Sequence, residues 1–312
     1  MSGLRPLWLA LGLTLTGCAA LPPSPAGEAV QLVGVPAHAQ EELQCGPAAL
    51  SSALQAAGVE ASPESLKAAL FIPARGGSLQ VELLAQTRQH GRLPVRLAAE
   101  ESALIAALRD GQPPLVLLNL GVRSYPVWHY AVVVGYDPEQ GYLLNDGKAE
   151  SSRYSRRAFL RRWDWAGRWA ILVSRAEQVP EPVRPADWIT AAAPLERSAP
   201  ALAATAYHAA VQRWPQEPLV QAALGSERYA AGDLEAAVQA LRQAAALAPD
   251  NAAYANNLAS VEWARGCATA ARAALAKVDL PTLPNSLAAA LDATRTEIAA
   301  TPTAVCPDAV QP

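Results

Sequence analysis

The chain has 312 residues with a formal net charge of −3, half of them hydrophobic (51%), and only one Met, two Phe and four Cys. An acidic balance supplies no basic field for a nucleic-acid backbone, so nucleic acid is excluded as a partner. The length suits two domains of roughly 100–200 residues each, and the apolar content is ample for burying both cores.

In chain order, the first feature is Met1–Gly17, with a single Arg5 ahead of an apolar run from about Leu7 to Leu15. That run is shorter than the roughly 20 residues a spanning helix needs, so 1–17 reads as an export signal outside the fold. Its end, Leu15-Thr16-Gly17-Cys18, resembles the bacterial lipobox, which implies lipidation of Cys18. Ala19 stands where inner-membrane retention favours Asp, so the resemblance implies anchoring in the cell envelope, at the periplasmic face of the outer membrane. Several lipid chains hold a protein on a membrane far better than one. Residues 18–29 form a small, Pro-rich tether with little apolar side chain to bury.

From 30 to 178 the pattern predicts helices and then strands. A helix begins at Cys45-Gly46-Pro47, where Pro47 suits the first turn, and ends at Gly58. Further helices are expected over Pro63–Leu70 with Ser62 as N-cap, Leu79–His90 and Ser102–Arg109. Strands are expected at Leu115–Leu120, Trp128–Tyr136, Gly141–Asn145 and Trp169–Ser174, two of them apolar enough to be buried on both faces. This order makes an α+β domain. Arg153, Arg156, Arg157, Arg161 and Arg162 surround Phe159 and Trp163; a solvated helix face and a basic strip toward substrate or headgroups are both open readings.

Residues 179–200 read as a Pro-rich linker, and 201–300 as Ala-rich helix with an internal period. Ala203, Ala237 and Ala271 are spaced 34 residues apart, as are Tyr207, Leu241 and Leu275; Gly232 and Gly266 share the offset, as do Pro215 and Pro249. The spacing resembles the tetratricopeptide repeat, with Leu287–Ala300 as a capping helix, and implies a surface for a peptide or protein partner. Residues 301–312 are a C-terminal tail. Cys267 and Cys306 are candidates for a disulfide, because export exposes them to an oxidising compartment. Cysteines and histidines lie at no metal-ligand spacing, and no cofactor is expected.

The chemistry concentrates in two segments. A thiol at a helix N-terminus gains nucleophilicity from the helix's partial positive charge, and Cys45 sits at such a start. His129 opens the apolar strand His129–Tyr136, and Asp146 follows the next strand. Gln40-Glu41-Glu42-Leu43-Gln44-Cys45-Gly46-Pro47 and the His129 strand resemble the papain-like bacteriocin-processing, or double-glycine, cysteine peptidases. The likeness is strongest to exported members carrying helical repeats, and it covers roughly Leu32–Val173. It implies a papain-like fold with Cys45 as nucleophile, His129 as base, Asp146 as the group orienting the imidazole, and Gln40 as oxyanion donor beside the Cys45 N–H. Gln40 stands five residues before the Cys, where the family usually has six, and Gln44 is the other amide at hand. Asp137 and Asn145 compete with Asp146. The activity implied is hydrolysis of peptide bonds in a peptide or protein substrate. The alternatives are a periplasmic cell-wall amidase, which also uses a Cys–His pair, and a non-catalytic lipoprotein adaptor.

Overall fold

The computed structural model describes residues 25, 27–41, 43–276, 278–300 and 306. The expected signal segment, the lipidation site Cys18, most of the tether and nearly all of the tail lie outside these residues. Among the described residues, no helix is long and apolar enough to cross a membrane.

Strands β1 (Val30–Gln31), β2 (Leu93–Arg96), β3 (Leu115–Asn119), β4 (Trp128–Asp137), β5 (Gly141–Asn145), β6 (Ser152–Tyr154) and β7 (Ala170–Ser174) form one antiparallel sheet in the order β2-β7-β3-β4-β5-β6. The short β1 pairs with the far end of β4 through Val30 opposite Tyr136. Alternation along β4 divides the core. Tyr130, Val132 and Val134 face helices α1 (Cys45–Ala56), α2 (Pro63–Leu70) and α3 (Gln80–Gln89). Ala131, Val133 and Tyr136 face α4 (Glu101–Arg109) and α5 (Arg156–Asp164). Helices on both faces are why the central strands carry apolar residues without a polar alternate.

The expected strands and helices appear at nearly the expected bounds. Three strands were not expected: the two-residue β1 and the edge strands β2 and β6. β2 contains Pro94, which an edge position tolerates because its missing N–H breaks no ladder on the open side. β6 is only three residues and has no apolar rhythm. The arginine cluster is partly consumed inside the fold: Arg156 forks onto the Glu101 carboxylate at 2.8 and 2.6 Å, Arg161 stacks over Trp165, and Arg162 over Tyr154.

The segment 179–200, expected as a linker, carries two helices, α6 (Pro185–Ala192) and α7 (Leu195–Ser198). Its prolines do not keep it extended: Pro185 opens α6 and Pro200 opens α8 (Pro200–Arg213), positions where a missing N–H costs nothing. Trp188 is fully buried and donates its Nε1–H to the Ala206 carbonyl of α8 at 2.8 Å. The apolar cluster on that face of the sheet runs without a break through Trp188 and Tyr207 to Val220 in α9 (Pro218–Ala230).

Beyond it follow α10 (Leu234–Leu247), α11 (Ala252–Ala264), α12 (Ala268–Leu275) and α13 (Asn285–Ala300). Two of the columns at the 34-residue period face inward: Ala203, Ala237 and Ala271 are fully buried, and Tyr207, Leu241 and Leu275 lie within 3% of it, while Gly232 and Gly266 are exposed in turns. Gly225 lets α10 approach α9, since a Cβ there would sit 2.6 Å from Leu241 Cγ. Cys267 and Cys306 are free thiols rather than the disulfide considered above. Cys267 nonetheless shares a hydrogen bond with Cys306, and burial first, then that bond, pushes its pKa up to about 11.

Candidate active site

Cys45 is the first residue of α1, and the loop before α3 presses against the turn that follows it. A Cβ at Gly46 would stand 2.3 Å from Ser78 Oγ, so the residue after the thiol has to be glycine for the two segments to approach. Just upstream, Leu43 holds a φ of 63°, a left-handed conformation uncommon outside glycine. The main-chain N–H groups of Tyr130, Gly46 and Cys45 itself lie close enough to the Cys45 thiol to favour its thiolate. Tyr130 directly follows His129 in β4, so α1 and β4 bring the thiol and imidazole segments together. The helix start alone suggests a lowered thiol pKa. Burial outweighs it, and the Cys45 thiol is pushed above its ordinary value despite the three N–H donors.

His129 is buried, at 8% exposure, and its Nε2 lies 3.0 Å from the main-chain carbonyl oxygen of Asp146. A carbonyl only accepts, so Nε2 carries the proton and Nδ1 keeps the lone pair. Burial lowers the pKa of His129, against the raising effect of the Asp146 hydrogen bond and charge. The imidazole is therefore neutral at and above the ordinary histidine range, with Nδ1 free to accept a proton.

Asp146 meets His129 differently from the carboxylate–imidazole contact implied by the sequence. Its side chain is turned to β6: Ser152 Oγ donates to Oδ1 at 2.9 Å, Tyr154 Oη donates to Oδ2 at 2.9 Å, and Lys148 Nζ lies 3.6 Å from Oδ2. Burial, then the bond to Asp146, raises the Tyr154 phenol to about 12, so it stays a donor through the physiological range. The two competitors serve elsewhere. Asp137 Oδ1 accepts from the N–H groups of Glu139 and Gln140 in the turn after β4. Asn145 donates from Nδ2 to the carbonyls of Val35 and Pro36, tying the segment that leads to Gln40 onto the sheet.

Gln40 is brought to the same corner. Its N–H donates to the Gly147 carbonyl at 3.0 Å, and its buried Oε1 has no hydrogen-bond partner. Gly147 has a φ of +87°, and a Cβ there would lie 2.2 Å from Gln40 Oε1. Gly147→Ala therefore meets both a left-handed backbone and the Gln40 side chain. The expected result is a stability loss of about 1–3 kcal/mol in urea unfolding, with displacement of Gln40. An unchanged unfolding midpoint would show that the corner relaxes freely. Gln44 is held away from this corner, donating from Nε2 to Glu41 Oε2 at 2.6 Å. The remaining histidines are engaged elsewhere, His38 with Ser51, His90 with the Gln86 carbonyl and His208 with Arg228. Sequence reasoning missed Ser152 and Tyr154, since a three-residue strand without apolar rhythm carries no pattern of its own.

Residues 32–171 match the family model described as "Peptidase_C39 like family". Among solved structures, the peptidase domain of Streptococcus ComA, described as a bi-functional ABC transporter involved in a quorum sensing pathway, is 20% identical. That alignment covers 45% of this chain and 99% of the other, with a TM-score of 0.36. No curated protein matches the chain. Over residues 32–171 the family match supports a cysteine-type peptidase as the enzyme class and a peptide as substrate.

Proposed function

We propose that this protein is a lipid-anchored cysteine peptidase of the cell envelope, acting through Cys45 and His129, with Asp146 and Gln40 in support. One observation carries the reading: the thiol that heads α1 lies against the main-chain N–H of the residue following an imidazole whose tautomer is set by Asp146, inside the region matching the peptidase family. In the first half-reaction Cys45 Sγ attacks the peptide carbonyl carbon while its proton passes to His129 Nδ1. The Cys45 N–H and the Gln40 side-chain amide receive the oxyanion. The C–N bond then breaks as His129 returns the proton to the leaving amine. Water, deprotonated by the same nitrogen, releases the acyl group as a carboxylic acid. Lipidation at Cys18 would hold the enzyme on the membrane surface. The helical region, read as tetratricopeptide repeats, would present a protein or peptide partner.

The orienting role falls to the main-chain oxygen of Asp146, with Ser152 and Tyr154 clamping its carboxylate. Where a carboxylate holds the imidazole directly, Asp→Asn costs about 10⁴ in kcat. Here Asn keeps the main-chain carbonyl and an acceptor for Tyr154, so Asp146→Asn is expected to cost about tenfold or less, against at least about 10³ for His129→Ala. A loss for Asp146→Asn as large as that for His129→Ala would return the role to the carboxylate. Incubation with synthetic peptides and with muropeptides separates the enzyme classes: cleavage of muropeptides alone would establish the amidase instead.

A further inference from the structure

We propose that the cavity beside Cys45 is a specificity pocket for a bulky apolar side chain flanking the scissile bond; this rests on the peptidase reading above. The cavity measures about 320 Å³ and is lined by Ser78, Leu79, Gln80, Leu117, Trp128, Tyr130 and Ala166. It adjoins the nucleophile through two of these residues. The Tyr130 main-chain N–H lies against the Cys45 thiol, and a Cβ on Gly46 would meet Ser78 Oγ at 2.3 Å. Its size is at the lower end for ligand pockets, so it suits part of a peptide rather than a whole small molecule.

The chemistry of the walls sets the occupant. No charged side chain lines the cavity, so a buried Asp or Lys would go unpaired there. Large apolar groups stand open to solvent at its mouth, with Trp128 52% and Leu79 41% exposed. The exposure continues along the neighbouring chain through Val81 after Leu79, and through Val122, Tyr125 and Val127 in the β3–β4 connection ahead of Trp128. Scattered apolar residues need no explanation, but a run of them close along the chain in both segments that line the cavity is what a binding surface for an apolar group presents. Besides the Gln80 amide and the Tyr130 hydroxyl, the walls hold Ser78 Oγ, which is buried without a hydrogen-bond partner. It can meet an N–H or C=O of the peptide main chain, fixing the backbone while the apolar walls take the side chain. A glycine at the same substrate position would leave the cavity unfilled.

The test is a mixed peptide library digested by the full chain, with cut sites read by mass spectrometry. Leu, Ile, Met or Phe should be enriched about tenfold over Gly and Asp at one position flanking the cut. Ala166→Phe, which adds bulk to the cavity wall, should shift that preference to Gly or Ala. Leu79→Asp, at an exposed position, should weaken the apolar preference and tests it if Ala166→Phe fails to fold. Independently of turnover, a Leu-rich tetrapeptide should protect Cys45 from iodoacetamide better than tetraglycine. Equal protection, or cut sites with glycine favoured, overturns the pocket assignment. Cleavage that persists in Cys45→Ala overturns the peptidase reading instead.

Discussion

Cys45→Ala is expected to abolish peptide hydrolysis, with a fall of at least about 10⁴-fold, and to remove labelling by a thiol-reactive peptide probe, while the unfolding midpoint stays near that of the parent chain. The variant removes one partly exposed sulfur and leaves the first turn of α1 intact, because Gly46 and Pro47 supply its packing. Labelling of the parent no stronger than of the variant would leave the adaptor reading standing.

The pH dependence of that thiol follows from its surroundings. Burial raises the Cys45 pKa and lowers that of His129, so the resting pair at neutral pH is a thiol beside a neutral imidazole. Both shifts disfavour an ion pair. The thiolate fraction grows as pH rises toward the raised pKa, and the imidazole stays neutral until pH falls below its lowered one. Iodoacetamide alkylation of Cys45 should therefore climb throughout pH 6 to 9 without levelling off. A plateau already reached near pH 6 would show a preformed thiolate–imidazolium pair and a different resting state. The proton then moves from Cys45 to His129 during attack rather than before it.

Cys45 and His129 were legible because each sits on a strong local pattern: a glycine–proline helix start, and an apolar run in a strand covered on both faces. Asp146 was legible as a position but not as an orientation. Its carboxylate direction depends on Ser152 and Tyr154 in a three-residue edge strand that neither hydrophobic rhythm nor turn residues reveal. Gln40 was singled out by the family resemblance, one residue off the family's usual spacing to the Cys. What places it is Gly147, more than a hundred residues away, whose missing Cβ leaves room for the amide. The thiol's raised pKa was hidden for a related reason. Helix position is local, whereas desolvation depends on everything packed around the site.

Trp188→Ala is expected to cost about 3–5 kcal/mol, the range for removing a fully buried tryptophan. Trp188 lies in the stretch whose composition suggests a linker, yet it has no exposed surface and hydrogen-bonds into α8. Its apolar neighbours include sheet residues such as Leu93 and Val95 as well as Ala206 and Tyr207 from the helical region. The sheet domain and the first helical pair thus share one core, and their unfolding should be coupled. Urea unfolding followed by far-ultraviolet circular dichroism and by Cys45 alkylation should give coincident transitions in the parent chain. Both should move to lower urea together in Trp188→Ala. If the helical signal moves while Cys45 stays protected to its original midpoint, the two regions unfold separately and Trp188 belongs to the helices alone. Coincidence would mean that whatever binds the helical region acts on a body continuous with the strands that carry His129, because β2, β7, β3 and β4 are successive neighbours in one sheet. A ligand that stabilises α8 and α9 would then raise the free energy of exposing Cys45 as well, by linkage through the shared core.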